Sequence, residues 1–357
     1  MLRLCLLALL SNSSIMALAI TIPLLVEKIG LSYAILGLIG FSYGLFSVIS
    51  YYFFGKLSDS LGKRKIFLIV GFLLSAVSFF LHVFARDSIS LILVRAFSGL
   101  TVGIFSFPLI AYAHDNFGSK GVSWVSAFSS LGWAVGSLIV GLIKYFNEIF
   151  ILSAVSFLIA FLLTINIKDS KVKPLSVSIF PKKLIKKNIA LYSLYFARHV
   201  GACSIWIIFP IYLLSLGANM LVLGIIYAMN PLTQTFAMLS IPKIKLKMST
   251  KSMIRLGIML SFITFLIYYL SVHYISIIPA QFILGIAWAF LYVGSLLYLL
   301  ERNIEKATST GLLGSTISLS NMFGVLIGGM LATYSLKLPM IFACALCLVS
   351  MAISSKL

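Results

Sequence analysis

A chain of 357 residues that is 61% hydrophobic and only 10% charged, with a mean hydropathy of +1.12, is too apolar for a soluble domain, where about 45–50% of residues are apolar. Its formal charge of +19, from 27 Lys+Arg against 8 Asp+Glu, would suggest nucleic acid in a soluble protein; here the basic residues lie between apolar runs, with no RNP-like strand or zinc-ligand spacing, and nucleic acid is excluded as a partner. Cys5, Cys203, Cys344 and Cys347 all sit in apolar runs, where a thiol behaves as a small hydrophobe, and Cys344-x-x-Cys347 has no histidine or second cysteine pair beside it, so neither a disulfide framework, a metal site nor a cofactor is expected.

The chain opens like a signal peptide, with Arg3, an apolar stretch and Ala17-Leu18-Ala19, but Asn12, Ser13 and Ser14 interrupt the apolar core and hydrophobicity resumes through Val26, which favours an uncleaved first spanning helix. Runs of about 20 apolar residues, the length that crosses a hydrocarbon slab of about 30 Å, centre near residues 15, 43, 76, 100, 133 and 157, and again near 203, 230, 262, 287, 322 and 346. The expected fold is therefore an all-α integral membrane protein of twelve transmembrane helices in two six-helix bundles, residues 1–167 and 189–357. A polar, lysine-rich linker at 168–188, broken by Pro174 and Pro181, joins them. With the amino terminus inside, 21 of the 27 Lys+Arg fall on the inner side, four outside (Lys28, Arg86, Lys144, Lys337) and two, Arg95 and Arg198, within runs. Short basic loops stay cytoplasmic, so both termini are expected there.

The halves repeat at an offset of 188 residues, which aligns Gly136 with Gly324 and Gly141 with Gly329, and sets the basic loop at Gly55 on the basic loop at Lys243. The first of these loops reads Gly55-Lys-Leu-Ser-Asp59-Ser-Leu-Gly62-Lys63-Arg64-Lys65. Gly55 and Gly62 permit close approach and tight turning, and Asp59 has basic residues near at hand. This segment resembles the G-x-L-a-D-r-x-G-r-k signature of the major facilitator superfamily, between the second and third runs where that family carries it. The resemblance implies two bundles related by a pseudo-twofold axis, with the loop latching the cytoplasmic helix ends. Arg95-Ala-Phe-Ser-Gly99 is similar to the family's R-x-x-q-G motif, with Ser98 in place of glutamine. Gly132, Gly136 and Gly141 resemble its glycine-rich fifth-helix motif, with Ser137 in place of proline. These glycines, with Gly99, Gly324, Gly328 and Gly329, fit helix packing as well as function. The second half's loop at Lys243 is degenerate, with Lys247 where the aspartate would stand.

An ionisable residue inside the bilayer is a functional candidate because its insertion costs roughly 2.5–3.5 kcal/mol. All eight carboxylates map to loops or helix ends, Glu27 to the outer end of the first run. The interior candidates are Arg95 and Arg198, one per half, whose planar forks suit an organic anion, and His199, a candidate for proton coupling. Trp206 lies seven residues after His199 on the same helix face, and Tyr227, Asn230 and Gln234 share a face of the eighth run that is expected to turn inward. Trp133, Gln281, Trp288, Tyr292, Ser318 and Asn321 fall on runs that line the cavity in the resembling family.

No phosphate loop, H-E-x-x-H, G-x-S-x-G or midplane carboxylate pair is present, which argues against direct ATP drive and against an enzyme. The function expected is a monomeric secondary transporter in the plasma membrane, moving a small solute by alternating access, with protons as a candidate coupling ion. A non-transporting receptor on the same scaffold is the alternative.

Overall fold

The computed structural model describes residues 1–31, 33–143, 145–169, 173–174, 181–206, 208–245, 247–332 and 334–357, and among these every regular element is helical. Twelve α-helices are distinguished: α1 (Leu2–Lys28), α2 (Tyr33–Leu61), α3 (Lys65–Phe80), α4 (Ser88–Leu142), α5 (Phe146–Ile165), α6 (Lys182–Trp206), α7 (Phe209–Ser215), α8 (Met220–Lys245), α9 (Thr250–Leu270), α10 (Ile277–Arg302), α11 (Lys306–Ala332) and α12 (Leu338–Ser354). Each of the twelve expected run centres lies inside one of them. Eight helices among the described residues are long and apolar enough to cross a membrane.

The correspondence between runs and helices departs from one-to-one in two places. The runs near 100 and 133 belong to the single 55-residue stretch α4, which would be roughly 80 Å long if straight, far more than one bilayer core. It breaks at Gly118, whose φ of 58° and ψ of −147° are open to glycine alone at little cost. The run near 203 is divided between α6 and α7; residue 207, where they meet, lies outside the described residues, as do 170–172 and 175–180 of the linker.

The chain divides into two compact units. Unit 1 comprises residues 1–180 together with Asn303–Ser315, and unit 2 comprises Pro181–Arg302 with Thr316–Leu357. The helix α11 therefore gives its first turns to unit 1 and the rest to unit 2. In unit 1, α3 and α5 carry exposed apolar stripes at helical spacing, Ile66, Val70, Leu73, Val77 and Phe80 on α3 and Ile151, Val155, Leu158 and Leu162 on α5. In unit 2, Met259, Ile263, Leu266 and Leu270 do the same on α9. Water would oppose such stripes, and lipid solvates them.

The internal repeat is written into the packing. Gly136 of α4 sits so close to α1 that a Cβ would stand 2.3 Å from the Ser13 carbonyl oxygen, and Gly324 of α11 sits against α6 with a Cβ 2.6 Å from the Val200 carbonyl. Both glycines of the aligned pair thus press on the first helix of their own half. Gly132 on Leu9, and Gly328 on Ser204, extend the two contacts. Gly141 and Gly329 are helical, but their packing lies outside the described residues.

Candidate functional site

The Gly55–Lys65 segment ends α2 by a glycine-dependent cap. Gly62 adopts a φ of 61°, its N–H donates to the Asp59 carbonyl at 3.2 Å, and the Lys63 N–H donates to the Ser58 carbonyl at 3.3 Å, the two bonds of a Schellman motif. That turn throws Lys63 out to solvent and brings Arg64 back over the helix end. Arg64 Nη1 then donates to Asp59 Oδ1 at 2.7 Å and to Ser58 Oγ at 2.9 Å, with both charged side chains fully buried.

Asp59 also accepts from the start of α11. Its Oδ1 takes the Ala307 N–H at 3.2 Å; its Oδ2 takes the Thr308 N–H at 2.7 Å and the Thr308 hydroxyl at 2.6 Å. The first N–H groups of a helix have no partner inside it and carry its positive dipole end, so a carboxylate there meets both needs at once. Arg64 Nε reaches Asp115 Oδ2 at 3.3 Å, and Lys306 Nζ reaches Asp115 Oδ1 at 2.6 Å, so that two carboxylates face two cations. Asp169 Oδ1 accepts from the backbone N–H groups of Arg64 and Lys65, at 3.2 and 3.1 Å. The close approach depends on Gly55, where a Cβ would lie 2.4 Å from the Ala307 carbonyl oxygen, and on Gly311, where it would lie 2.3 Å from that of Tyr51. All these residues belong to unit 1. The sequence pointed to Asp59 and Arg64 but not to Asp115, Lys306 or Thr308.

Arg95 lies on α4 with its guanidinium 4.0 Å from the centre of the Tyr43 ring. Among the described residues it makes no ion pair or hydrogen bond, its Nε is buried without a partner, and it is 8% exposed. Gly99, one turn on, lets α2 approach until a Cβ would be 2.3 Å from the Tyr43 carbonyl oxygen. Ser42 and Ser50 of α2 donate to the carbonyls of Ile92 and Leu100, at 3.1 and 2.5 Å, tying α2 to α4 on either side of the arginine. Trp133 Nε1 donates to Asn12 Oδ1 at 3.1 Å, which gives the polar break in α1 a partner. His82, in the short turn after α3, is buried against Phe79 and Phe150 with Nδ1 3.0 Å from the Ser78 carbonyl oxygen. As a lone histidine at the end of an apolar run, it gave no pattern by which to be found.

Unit 2 holds Arg198 and His199 on α6. Arg198 is fully buried, and its Nε and Nη2 both donate to Ser261 Oγ on α9, at 3.0 and 2.8 Å. The Phe265 and Trp288 ring centres stand 5.5 and 5.6 Å from the guanidinium. His199 is enclosed by Tyr195, Trp206 and Trp288, with ring centroids at 5.8, 5.6 and 5.2 Å, as the common face with Trp206 implies. Trp288 stacks on Tyr292 at 5.9 Å. On α8, Gln234 Nε2 donates to Asn230 Oδ1 at 2.8 Å and Gln234 is buried, whereas Tyr227 on the same face remains 38% exposed and edges onto Phe209. Gln281 is buried, Ser318 half-buried and Asn321 exposed. The Glu27 side chain lies outside the described residues.

The family model described as Major Facilitator Superfamily matches residues 4–310. An uncharacterized MFS-type transporter of Methanocaldococcus jannaschii is 26% identical over 352 residues, covering 92% of this chain and 87% of that protein. Among solved structures, the human organic anion transporter MFSD10 (TETRAN) is similar with a TM-score of 0.86 at 15% identity, over 99% of this chain and 98% of that one. A bacterial homologue of the iron transporter ferroportin, in an outward-facing state, is similar with a TM-score of 0.83 at 14% identity and the same coverage. At such identities the structures share the fold. With a family match over residues 4–310 and eight helices among the described residues apolar and long enough to cross a membrane, this chain is an integral membrane transport protein that belongs to the Major Facilitator Superfamily.

Proposed function

We propose that the protein is a monomeric secondary carrier of the cell membrane, with both termini cytoplasmic, that moves a small organic anion by alternating access. The observation that carries the mechanism is the Asp59 carboxylate seated on the first N–H groups of α11, a helix whose later turns belong to the other unit. Hydrogen bonds to a charged group are worth about 1.5–3 kcal/mol each, and breaking one partner from a buried ion pair costs about 3–5 kcal/mol. A knot of that size biases a two-state equilibrium by several kcal/mol, enough to hold one state closed until cargo or a gradient tips it. In each cycle the bonds from Ala307 and Thr308 to Asp59 are released and remade. The basic loops, 21 of 27 Lys+Arg on the side of this knot, support its cytoplasmic location.

The anionic cargo is supported by Arg95, a buried cation with neither carboxylate nor hydrogen-bond acceptor among the described residues, its guanidinium 4.0 Å from the centre of the Tyr43 ring. The name of the similar human structure, an organic anion transporter, agrees with this reading but does not carry it. Purified protein in liposomes, offered a panel of labelled organic anions, cations and neutral solutes with and without a pH gradient, tests it. Uptake confined to anions and reduced at least tenfold in Arg95→Gln is expected, and cation uptake indifferent to Arg95→Gln would remove the anion. His199→Gln in the same assay decides whether protons are coupled.

A further inference from the structure

We infer that the interior of unit 2 holds a compact monovalent anion of the halide class beside Arg198, as a resident ion distinct from the cargo.

The chemistry left open around this arginine is one-sided. Ser261 Oγ accepts two of the guanidinium's hydrogens and spends its own on the Gly257 carbonyl at 2.7 Å, so it has no proton left to give. Among the described residues Arg198 Nη1 has no acceptor. The phenol oxygens of Tyr195 and Tyr268, both at or below 1% exposure, have no partner either, nor has His199 Nδ1, which donates in the tautomer that carries its proton there. These groups share one set of walls: Tyr195 and His199 meet Trp288, Arg198 lies between Trp288 and Phe265, and Phe265 meets Tyr268. Several buried donors are therefore carried on the rings near a full positive charge, and among the described residues Arg198 pairs with no carboxylate. A buried charge without a counter-charge is strongly disfavoured. Water would accept the free hydrogens without neutralising the charge. An anion does both, and with Arg198, Tyr195 and Tyr268 all buried a small spherical one is favoured over an organic acid that needs an opening.

The repeat indicates that the fold does not require the arginine. Unit 1 carries Gly71, Ser75 and Phe79 on α3 at the spacing of Gly257, Ser261 and Phe265 on α9, and Gly71 presses on Phe105 as Gly257 presses on Leu291. Yet the packing sets Ser13, Met16 and Ala17 of α1 against Gly136 as it sets Val200, Cys203 and Ser204 of α6 against Gly324, which brings Ala8 and Ser11 opposite Tyr195 and Arg198. The same frame closes over alanine and serine in one unit and over tyrosine and arginine in the other.

Thermal unfolding of the whole purified protein, followed in sodium chloride and in sodium gluconate at equal ionic strength, is the first test. The midpoint is expected to rise with the logarithm of chloride concentration, with bromide and iodide substituting and sulfate not. Arg198→Met is expected to lose the halide shift and Arg95→Gln to keep it. Should Arg198→Met fail to fold, Tyr268→Phe, which keeps the ring, is expected to need about tenfold more chloride for the same shift. Crystals grown in bromide should give an anomalous peak beside Arg198 Nη1. Equal midpoints in both salts, or a bromide map with only water at Nη1, would overturn the proposal. A halide shift in a protein that transports no anion would keep this site and remove the cargo reading, so the two fail separately.

Discussion

Thr308 gives both its backbone N–H and its hydroxyl to Asp59 Oδ2, at 2.7 and 2.6 Å, across 249 positions of sequence. That oxygen thereby serves the start of α11 alone, while Oδ1 holds both Arg64 and the Ala307 N–H. The strength of this junction comes from its burial: in water the same contacts would be worth about 1 kcal/mol or less.

Removing the charge at Asp59 should be costly in the folded state. Asp59→Asn leaves Arg64 buried beside a neutral amide, and a loss of about 3–5 kcal/mol is expected, read as a lowered unfolding midpoint in detergent. Thr308→Val removes one hydroxyl and keeps the backbone donor, so about 1–3 kcal/mol is expected there. A Thr308→Val effect equal to that of Asp59→Asn would mean that the backbone bonds contribute nothing.

Arg64 and Asp59 should be strongly non-additive. In a double-mutant cycle with Arg64→Gln and Asp59→Asn, the pair removed together is expected to be less destabilised than the sum of the single changes, with a coupling of about 0.5–3 kcal/mol. Coupling near zero, measured by denaturation of the four proteins, would show that the two charges do not sense each other.

Close helix approach can be tested at glycines that differ only in surroundings. Gly136→Ala forces a Cβ to 2.3 Å from the Ser13 carbonyl oxygen, and a loss of about 1–3 kcal/mol is expected. Gly40→Ala on α2 meets nothing within 4 Å and should be neutral or stabilising by about 0.5–1 kcal/mol through helix propensity. Thermal midpoints of the two variants, side by side, settle whether glycine acts here by contact or by propensity.

The N-terminal end of α4 carries a pH-dependent cap. Asp87 accepts from the backbone N–H groups of Ser90 and Ile89 and from the Ser90 hydroxyl, and these bonds, Ser90's first among them, hold its carboxyl below the usual carboxylate range. A depressed folded-state value means that the cap's contribution is complete above the unfolded value of about 3.9 and fades as pH falls through the folded one. Asp87→Asn keeps the capping oxygen and should flatten this part of the acid limb of stability below about pH 4, in a titration of unfolding midpoint against pH.

Most of the fold was legible in residues 1–357 because hydrophobic length speaks directly to a bilayer: every expected run centre falls in a helix, and the aligned pair Gly136 and Gly324 meets the first helix of each half. The two runs near 100 and 133 were likewise legible as separate helices, which meet at the non-helical Gly118. The site was legible only on one side. Asp59, Gly62 and Arg64 stand together in sequence and form one cap, but their partners are backbone N–H groups of Ala307 and Thr308, which have no side-chain signature. The free donors that open every helix were the available signal. Arg198 was expected to meet an anion. Its orientation onto Ser261 depends on how α6 packs against α9, which periodicity alone does not fix.

Counterflow in proteoliposomes tests alternating access most directly. Vesicles loaded with an unlabelled organic anion and diluted into a trace of the labelled one should accumulate label transiently above equilibrium, and Asp59→Asn should slow that exchange at least tenfold while the protein remains folded. Absence of any overshoot for every anion in the panel, in wild-type protein with an intact unfolding transition, would contradict a carrier that alternates around the Asp59 knot.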